Sequence, residues 1–196
     1  MEAANVPDFD AIVRLGGETE EVKFDFSFTD AVGHYLRPMP PVTDGVGAGQ
    51  VDLKRFSLSV DSAIVTPEGG APLQVGGSTF VIADLDHPAS PADINLLVEG
   101  SLEDALKIID HPPLGFISKL GVPLDGMTGD VKVKTYVFLP LLKALLLEDV
   151  EAEAEAVVTN LSAPVAPLDT VATSDLVNLK ASTSGFSLDG VATLKG

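Results

Sequence analysis

The chain has 196 residues, 45% of them apolar, and its 29 acidic against 12 basic side chains leave a formal charge of −17. That charge excludes nucleic acid as a partner, because binding it needs a basic footprint, and it excludes electrostatic docking on an anionic membrane. There is no cysteine, so disulfides and thiolate metal sites are excluded as well.

Met1 to Pro7 is short and acidic, without the basic and apolar regions of a secretory leader. Phe9, Ala11, Val13 and Leu15 then alternate with Asp10, Ile12 and Arg14, and Gly16-Gly17-Glu18 turns the chain into a second alternating run. In that run Val22, Phe24, Phe26 and Phe28 oppose Lys23, Asp25 and Ser27, so the two runs predict a hairpin with one apolar face. Asp30, Ala31, Val32, Tyr35 and Leu36 predict a short helical turn, stopped by the prolines at 38, 40 and 41. Thr43-Asp44-Gly45 predicts a bend, and the glycines at 45, 47 and 49 a flexible lead into a long strand. There Val51 and Leu53 share one parity and Phe56, Leu58 and Val60 the other, which requires a bulge or bend at Lys54-Arg55. Residues 73–75 and 80–82 flank Gly76-Gly77 as a further hairpin, and Pro88 and Pro91 break the pattern.

Residues 94–98 open a second round. Ser101 ahead of Asp104 predicts a helix N-cap, Leu102, Ala105, Leu106 and Ile109 give one apolar stripe, and Pro112 and Pro113 end the helix. Leu114, Phe116, Ile117 and Leu120 predict a second short helix, and Pro123, Asp125 and Gly126 a bend. Val131, Val133, Thr135 and Val137 alternate with Lys132, Lys134 and Tyr136 as a strand. Residues 139–158 are rich in Leu, Ala and Glu, which favour helix. Yet Ala152, Ala154 and Ala156 alternate with Glu151, Glu153 and Glu155, a pattern that only a strand sorts onto two faces, so a strand is predicted from about Asp149. Two or three more strands follow, with Ser184-Gly185 as a turn and Asp189-Gly190 as a bulge or turn.

The order strand, short helix, prolines, Asp-Gly bend, long strand occurs twice, which predicts an imperfect repeat within one β-rich unit spanning 1–196, the first copy at about 9–88 and the second at about 92–196. The expected fold is mainly β: a long curved antiparallel sheet, an open or taco-like groove, with two short helical segments. Strand pattern from Phe9 to Leu194 suits an internal segment of a stacked array. The most apolar run, 137–147, holds Pro140 and Lys143 and falls short of the roughly 20 residues of a membrane span.

Catalytic patterns do not emerge. His34, His87 and His111 have no metal-ligand spacing, the Gly45 to Gly49 run lacks dinucleotide spacing, and the glutamates near 153 read as a solvated strand face. No enzyme, metal or cofactor is therefore expected. What the pattern offers is apolar strand faces: Val22, Phe24, Phe26, Phe28, Val51, Leu53, Phe56, Leu58, Val60, Val131, Val133 and Val137, with Leu106 and Ile109 from the helix. A closed sandwich would bury these against each other as a structural or adhesive repeat, and an open sheet would leave them as a trough.

Several segments resemble the YhdP-type branch of the AsmA-like proteins: Glu103-Asp104-Ala105-Leu106, Asp110-His111-Pro112-Pro113-Leu114, Leu124-Asp125-Gly126, Gly129-Asp130-Val131, Leu147-Glu148-Asp149-Val150 and Gly185-Phe186-Ser187-Leu188-Asp189-Gly190. The resemblance implies a periplasmic segment of an inner-membrane-anchored envelope protein. Its repeats would build a long sheet whose apolar groove carries phospholipid or fatty acyl chains toward the outer membrane.

Overall fold

The computed structural model describes residues 2–14, 16, 21–120, 126–142, 149–165, 170–183 and 185–195. Thirteen strands form one large antiparallel sheet, accompanied by two short helices. β1 (Ala3–Asn5) and β2 (Phe9–Arg14) lie along one flank of β3 (Glu21–Gly33), whose other flank pairs with β4 (Val42–Asp52). Next comes β5 (Phe56–Val65), and then β6 (Leu73–Gln74) and β7 (Thr79–Ile82), which share the position between β5 and β8 (Pro91–Ser101). After α1 (Leu102–Asp110) and α2 (Phe116–Leu120) the chain returns as β9 (Thr128–Pro140), β10 (Glu151–Val165) and β11 (Thr170–Ser182). β12 (Gly185–Gly190) and β13 (Thr193–Lys195) share the outer flank of β11.

The thirteen strands thus fill ten positions, about 43 Å across at about 4.8 Å per step. Among the described residues no pairing joins the β12 flank to the β2 flank, so the sheet is open. The accessible surface is 12186 Å2, against about 8,800 Å2 for a compact monomer of 20.4 kDa. An uncovered sheet accounts for an excess of that size. Because β8 pairs directly with β6 and β7, the two copies read in the sequence share one continuous sheet.

Cross-strand packing overrides local propensity in several places. Residues 30–36 form no helix: β3 runs on to Gly33, with Asp30 at φ 51° where the register against β4 shifts. Ala31 is buried opposite Gly45, where an added Cβ would stand 3.0 Å from its own. Helix propensity is worth a few tenths of a kcal/mol per residue in so short a segment, and strand partners on both flanks outweigh it. Asp44-Gly45 is a bulge inside β4, not a bend, with Asp44 at φ 54°.

The glycine run is likewise strand interior and not a flexible lead. Gly47 and Gly49 face Phe28 and Phe26, and the two rings occupy the space that side chains on β4 would fill. A Cβ at Gly47 would come within 2.7 Å of Phe28 Cζ and would also crowd the Ser59 carbonyl. Gly47→Ala is therefore expected to cost about 1–3 kcal/mol through overpacking, seen as a lower urea midpoint at unchanged slope. Gly33→Ala, with nothing within 4 Å of the new methyl group, is the control.

The long strand expected from Gly49 is instead a hairpin. Asp52 Oδ1 accepts the N–H groups of Lys54 and Arg55, both at 2.8 Å, which reverses the chain so that Val51 faces Phe56. Residues 73–75 and 80–82 do not form a hairpin: β5 and β8 offer partners to both, so the chain runs straight on as β6 and β7. The offset between them is made by Gly77 at φ 84° and by Ser78, whose hydroxyl donates to Val75 O at 2.7 Å and accepts from Leu97 N at 3.0 Å. Both helices form where expected, and β10 is a strand. Leu15, Gly17, Glu18, Pro123, Asp125 and Ser184 lie outside the described residues.

Candidate functional site

Directly paired residues of antiparallel strands present their side chains on the same side of the sheet, so the registers define two faces. From the β2 flank, Phe9, Ala11 and Val13 face Phe26, Phe24 and Val22, and Phe24, Phe26 and Phe28 face Val51, Gly49 and Gly47. The row passes to Phe56, Leu58 and Val60, and through Phe80 and Ile82 to Ile94 and Ala92. Ala92, Ile94, Leu96 and Val98 face Leu139, Val137, Thr135 and Val133. Ala152, Ala154, Ala156 and Val158 carry it to Ala181, Leu179 and Val177, and Phe186 and Leu188 end it at the far flank. Of all these side chains only Thr135 bears a polar group. The Phe rings form a ladder along this face, with centroids 5.6 Å apart for Phe9–Phe24 and Phe24–Phe26 and 6.5 Å for Phe26–Phe28.

The opposite face is charged and wet. Lys23 pairs with Asp25 at 2.7 Å, Lys132 with Glu99 at 3.1 Å and Lys180 with Glu155 at 2.7 Å, while the Tyr136 hydroxyl donates to Asp93 at 2.6 Å. Hydrogen bonds from Lys23 and then Gln50 hold the Asp25 carboxyl below its usual value, and Lys180 does the same for Glu155. Exposed pairs of this kind add little stability. Their effect is to keep this side of the sheet in water.

One end of the apolar face is covered by α1. Leu102, Ala105 and Leu106 pack on Val131, Val133, Ala156, Val158, Leu161, Val177 and Leu179. Ile108 reaches the cluster of Ala63, Val65 and Val75 at the ends of β5 and β6. The Ser101 hydroxyl caps the helix, accepting from Asp104 N at 3.1 Å and donating to Asp104 Oδ2 at 2.6 Å. At its far end Asp110 accepts the Ser118 N–H at 2.7 Å and the Ser118 hydroxyl at 2.6 Å, which ties α2 to α1 and keeps the Asp110 carboxyl below its usual value.

Nine of the residues expected to line the face do so half-buried: Val22, Phe24, Phe26, Val51, Phe56, Leu58, Val60, Val133 and Val137. Phe28 and Val131 belong to it but are covered, at 2% and 4% exposure, and Leu106 packs onto it from the helix. Leu53 does not belong: it sits in the Asp52 turn, 47% exposed. Ile109 does not either, because α1 bridges two strand clusters and Ile108 takes the inward place, leaving Ile109 39% exposed. Residues absent from that set but on the face include Phe9, Phe80, Ile82, Ile94, Leu139, Leu179, Phe186 and Leu188. Their alternation was visible in the sequence, but only the register says that they share a side with Phe26.

Two shallow hollows, of about 570 and 520 Å3, open on the polar side, one near Asp25, Gln50, Ser57 and Ser59 and one near Glu153, Glu155 and Lys180. The apolar side is a broad half-exposed surface, suited to covering other apolar groups. Compared with family models, with curated proteins and with solved structures, the chain has no match.

Proposed function

We propose that this chain is a segment of a bridge-like lipid-transfer protein of the YhdP-type AsmA-like kind. Its apolar face holds phospholipid acyl chains as they pass between the inner and outer membranes through the periplasm. The observation that supports this most is the apolar side of a ten-position open sheet, interrupted only by Thr135 among the paired side chains and backed by a charged side. Two acyl chains of about 15 methylenes each cost on the order of 24 kcal/mol when exposed to water, at about 0.8 per methylene. A surface of this extent relieves much of that cost without any catalytic group. The rival, a structural or adhesive repeat with a closed core, requires a cover that α1 supplies at one end only.

The test is a titration of the delipidated chain with a fluorescent phosphatidylcholine, with native mass spectrometry alongside. Saturable binding that unlabelled phospholipid displaces, with a matching mass adduct, is expected. Absence of both signals would overturn the reading.

A further inference from the structure

We infer that a zwitterionic phospholipid places its headgroup at the turn between β4 and β5, the phosphate on Lys54 and Arg55 and the ammonium beside Asp84 and Asp86, a site that presupposes the acyl-binding role proposed above. With its chains on the apolar face, a phospholipid keeps its charged headgroup in water at a rim of that face. One rim is occupied by α1, which follows the end of β8 at Ser101. The turn lies on the other rim: Val51 faces Phe56, Phe56 faces Ile82, and Ile82 faces Ala92 at the start of β8. Phe56 thus brings the apolar row up to Arg55, and its ring packs on Phe80 with centroids 6.0 Å apart.

Lys54 and Arg55 are exposed and form no ion pair among the described residues, whereas Arg14 and Lys23 on the neighbouring strands are held by Glu21 and Asp25, both at 2.7 Å. Asp52, the carboxylate within the turn, accepts the backbone N–H groups of both cations and faces Lys23 across the register of β3 and β4. The shape of the turn is therefore set by backbone groups, and the two long side chains are left for a ligand. An ammonium and a guanidinium side by side match the oxygens of a phosphodiester. The adjoining loop carries the opposite sign. Leu85 N–H donates to the Lys54 carbonyl at 2.5 Å, which brings the exposed Asp84 and Asp86 alongside the turn. A cationic turn next to an acidic loop complements a phosphate followed by an ammonium. An anionic headgroup fits less well, since it meets the same two aspartates and a chain of net charge −17.

The test titrates the whole chain with short-chain fluorescent phosphatidylcholine, phosphatidylglycerol and diacylglycerol, which share acyl chains and differ in headgroup. Phosphatidylcholine is expected to bind about five- to tenfold more tightly than phosphatidylglycerol. Lys54→Gln combined with Arg55→Gln leaves both backbone N–H groups to Asp52, and is expected to weaken phosphatidylcholine about tenfold and diacylglycerol less than about twofold. Asp84→Asn combined with Asp86→Asn keeps an acceptor at position 84 for the N–H of residue 86, and is expected to narrow the gap between the two phospholipids to about twofold. Lys132→Gln, on the polar side, is the control and is expected to change none of the three. Equal losses for phosphatidylcholine and diacylglycerol in the first variant, no loss of either, an unchanged gap in the second, or a natural chain that prefers phosphatidylglycerol would overturn the headgroup site and leave the acyl-binding role standing. Binding of none of the three lipids would overturn that role, and the site with it.

Discussion

Phe26→Glu is expected to weaken binding of a fluorescent phosphatidylcholine by about 200-fold, while Lys132→Glu changes it by less than about threefold. The two positions lie on opposite sides of one sheet. Phe26 sits mid-ladder, its ring over Gly49 and between Phe24 and Phe28, whereas the Lys132 ammonium points to water and pairs with Glu99. A carboxylate at position 26 denies hydrocarbon contact to about four methylenes, roughly 3 kcal/mol at about 0.8 each, since an acyl chain cannot solvate the charge. Lys132→Glu alters the net charge by twice as much, so any general electrostatic effect would show most strongly there. Val133→Glu is expected to lose binding as well, but with a cost in stability, because Val133 also packs against the cluster beneath α1. Thermal melts separate the two causes. Equal losses at all three positions would contradict the assignment of faces.

How much of this face was legible in advance depends on the range over which each residue's environment is set. Alternation is local, so β2, β3, β9 and β10 could be read directly, and at β10 the outward Glu151, Glu153 and Glu155 with inward Ala152, Ala154 and Ala156 outweighed strong helix propensity. The N-cap of α1 is local too, since Ser101 and Asp104 are three residues apart. Gly47 and Gly49 read as flexible from their neighbours alone because their partners, Phe28 and Phe26, lie about twenty residues away and nothing nearby marks a glycine as a seat for a ring. Residues 30–36 read as helix for the same reason, as Ala31 is placed by Gly45. At Leu53 the deciding signal is local. Asp52 ahead of Lys54-Arg55 is an Asx-turn pattern, and it converts an apparent change of parity into a chain reversal.

The second large effect concerns the residue that fixes α1 over its end of the face. Asp104 is buried, 6% exposed, and its carboxylate accepts hydrogen bonds from the Ser101 hydroxyl, from Lys107 Nζ at 3.1 Å and from the Ala71 N–H. It thereby joins α1 to the 67–72 loop, where a Cβ on Gly70 would collide with it. Asp104→Ala removes an acceptor from the half-buried Ser101 hydroxyl and from the exposed Ala71 N–H, while Lys107 keeps Glu103 at 2.8 Å, and it is expected to cost about 1–2 kcal/mol, or about 2–8 °C in melting temperature for a chain of this size. Loosening α1 uncovers Val131, Ala156 and Val158, so an increase in binding of an apolar dye is expected with the loss of stability. The pH dependence gives a further check. Burial pushes the Asp104 carboxyl up, but the hydrogen bonds from Ser101, Lys107 and Ala71 pull it down by more, leaving it below the ordinary carboxylate value. A depressed folded value means that the stabilisation is complete above the unfolded pKa of about 3.9 and is lost as pH falls through the folded one. The gap in stability between the natural chain and Asp104→Asn is therefore expected to be constant at neutral pH and to close on acidification below about pH 4. A gap that stayed open there would show that shape, not charge, holds the helix on the sheet.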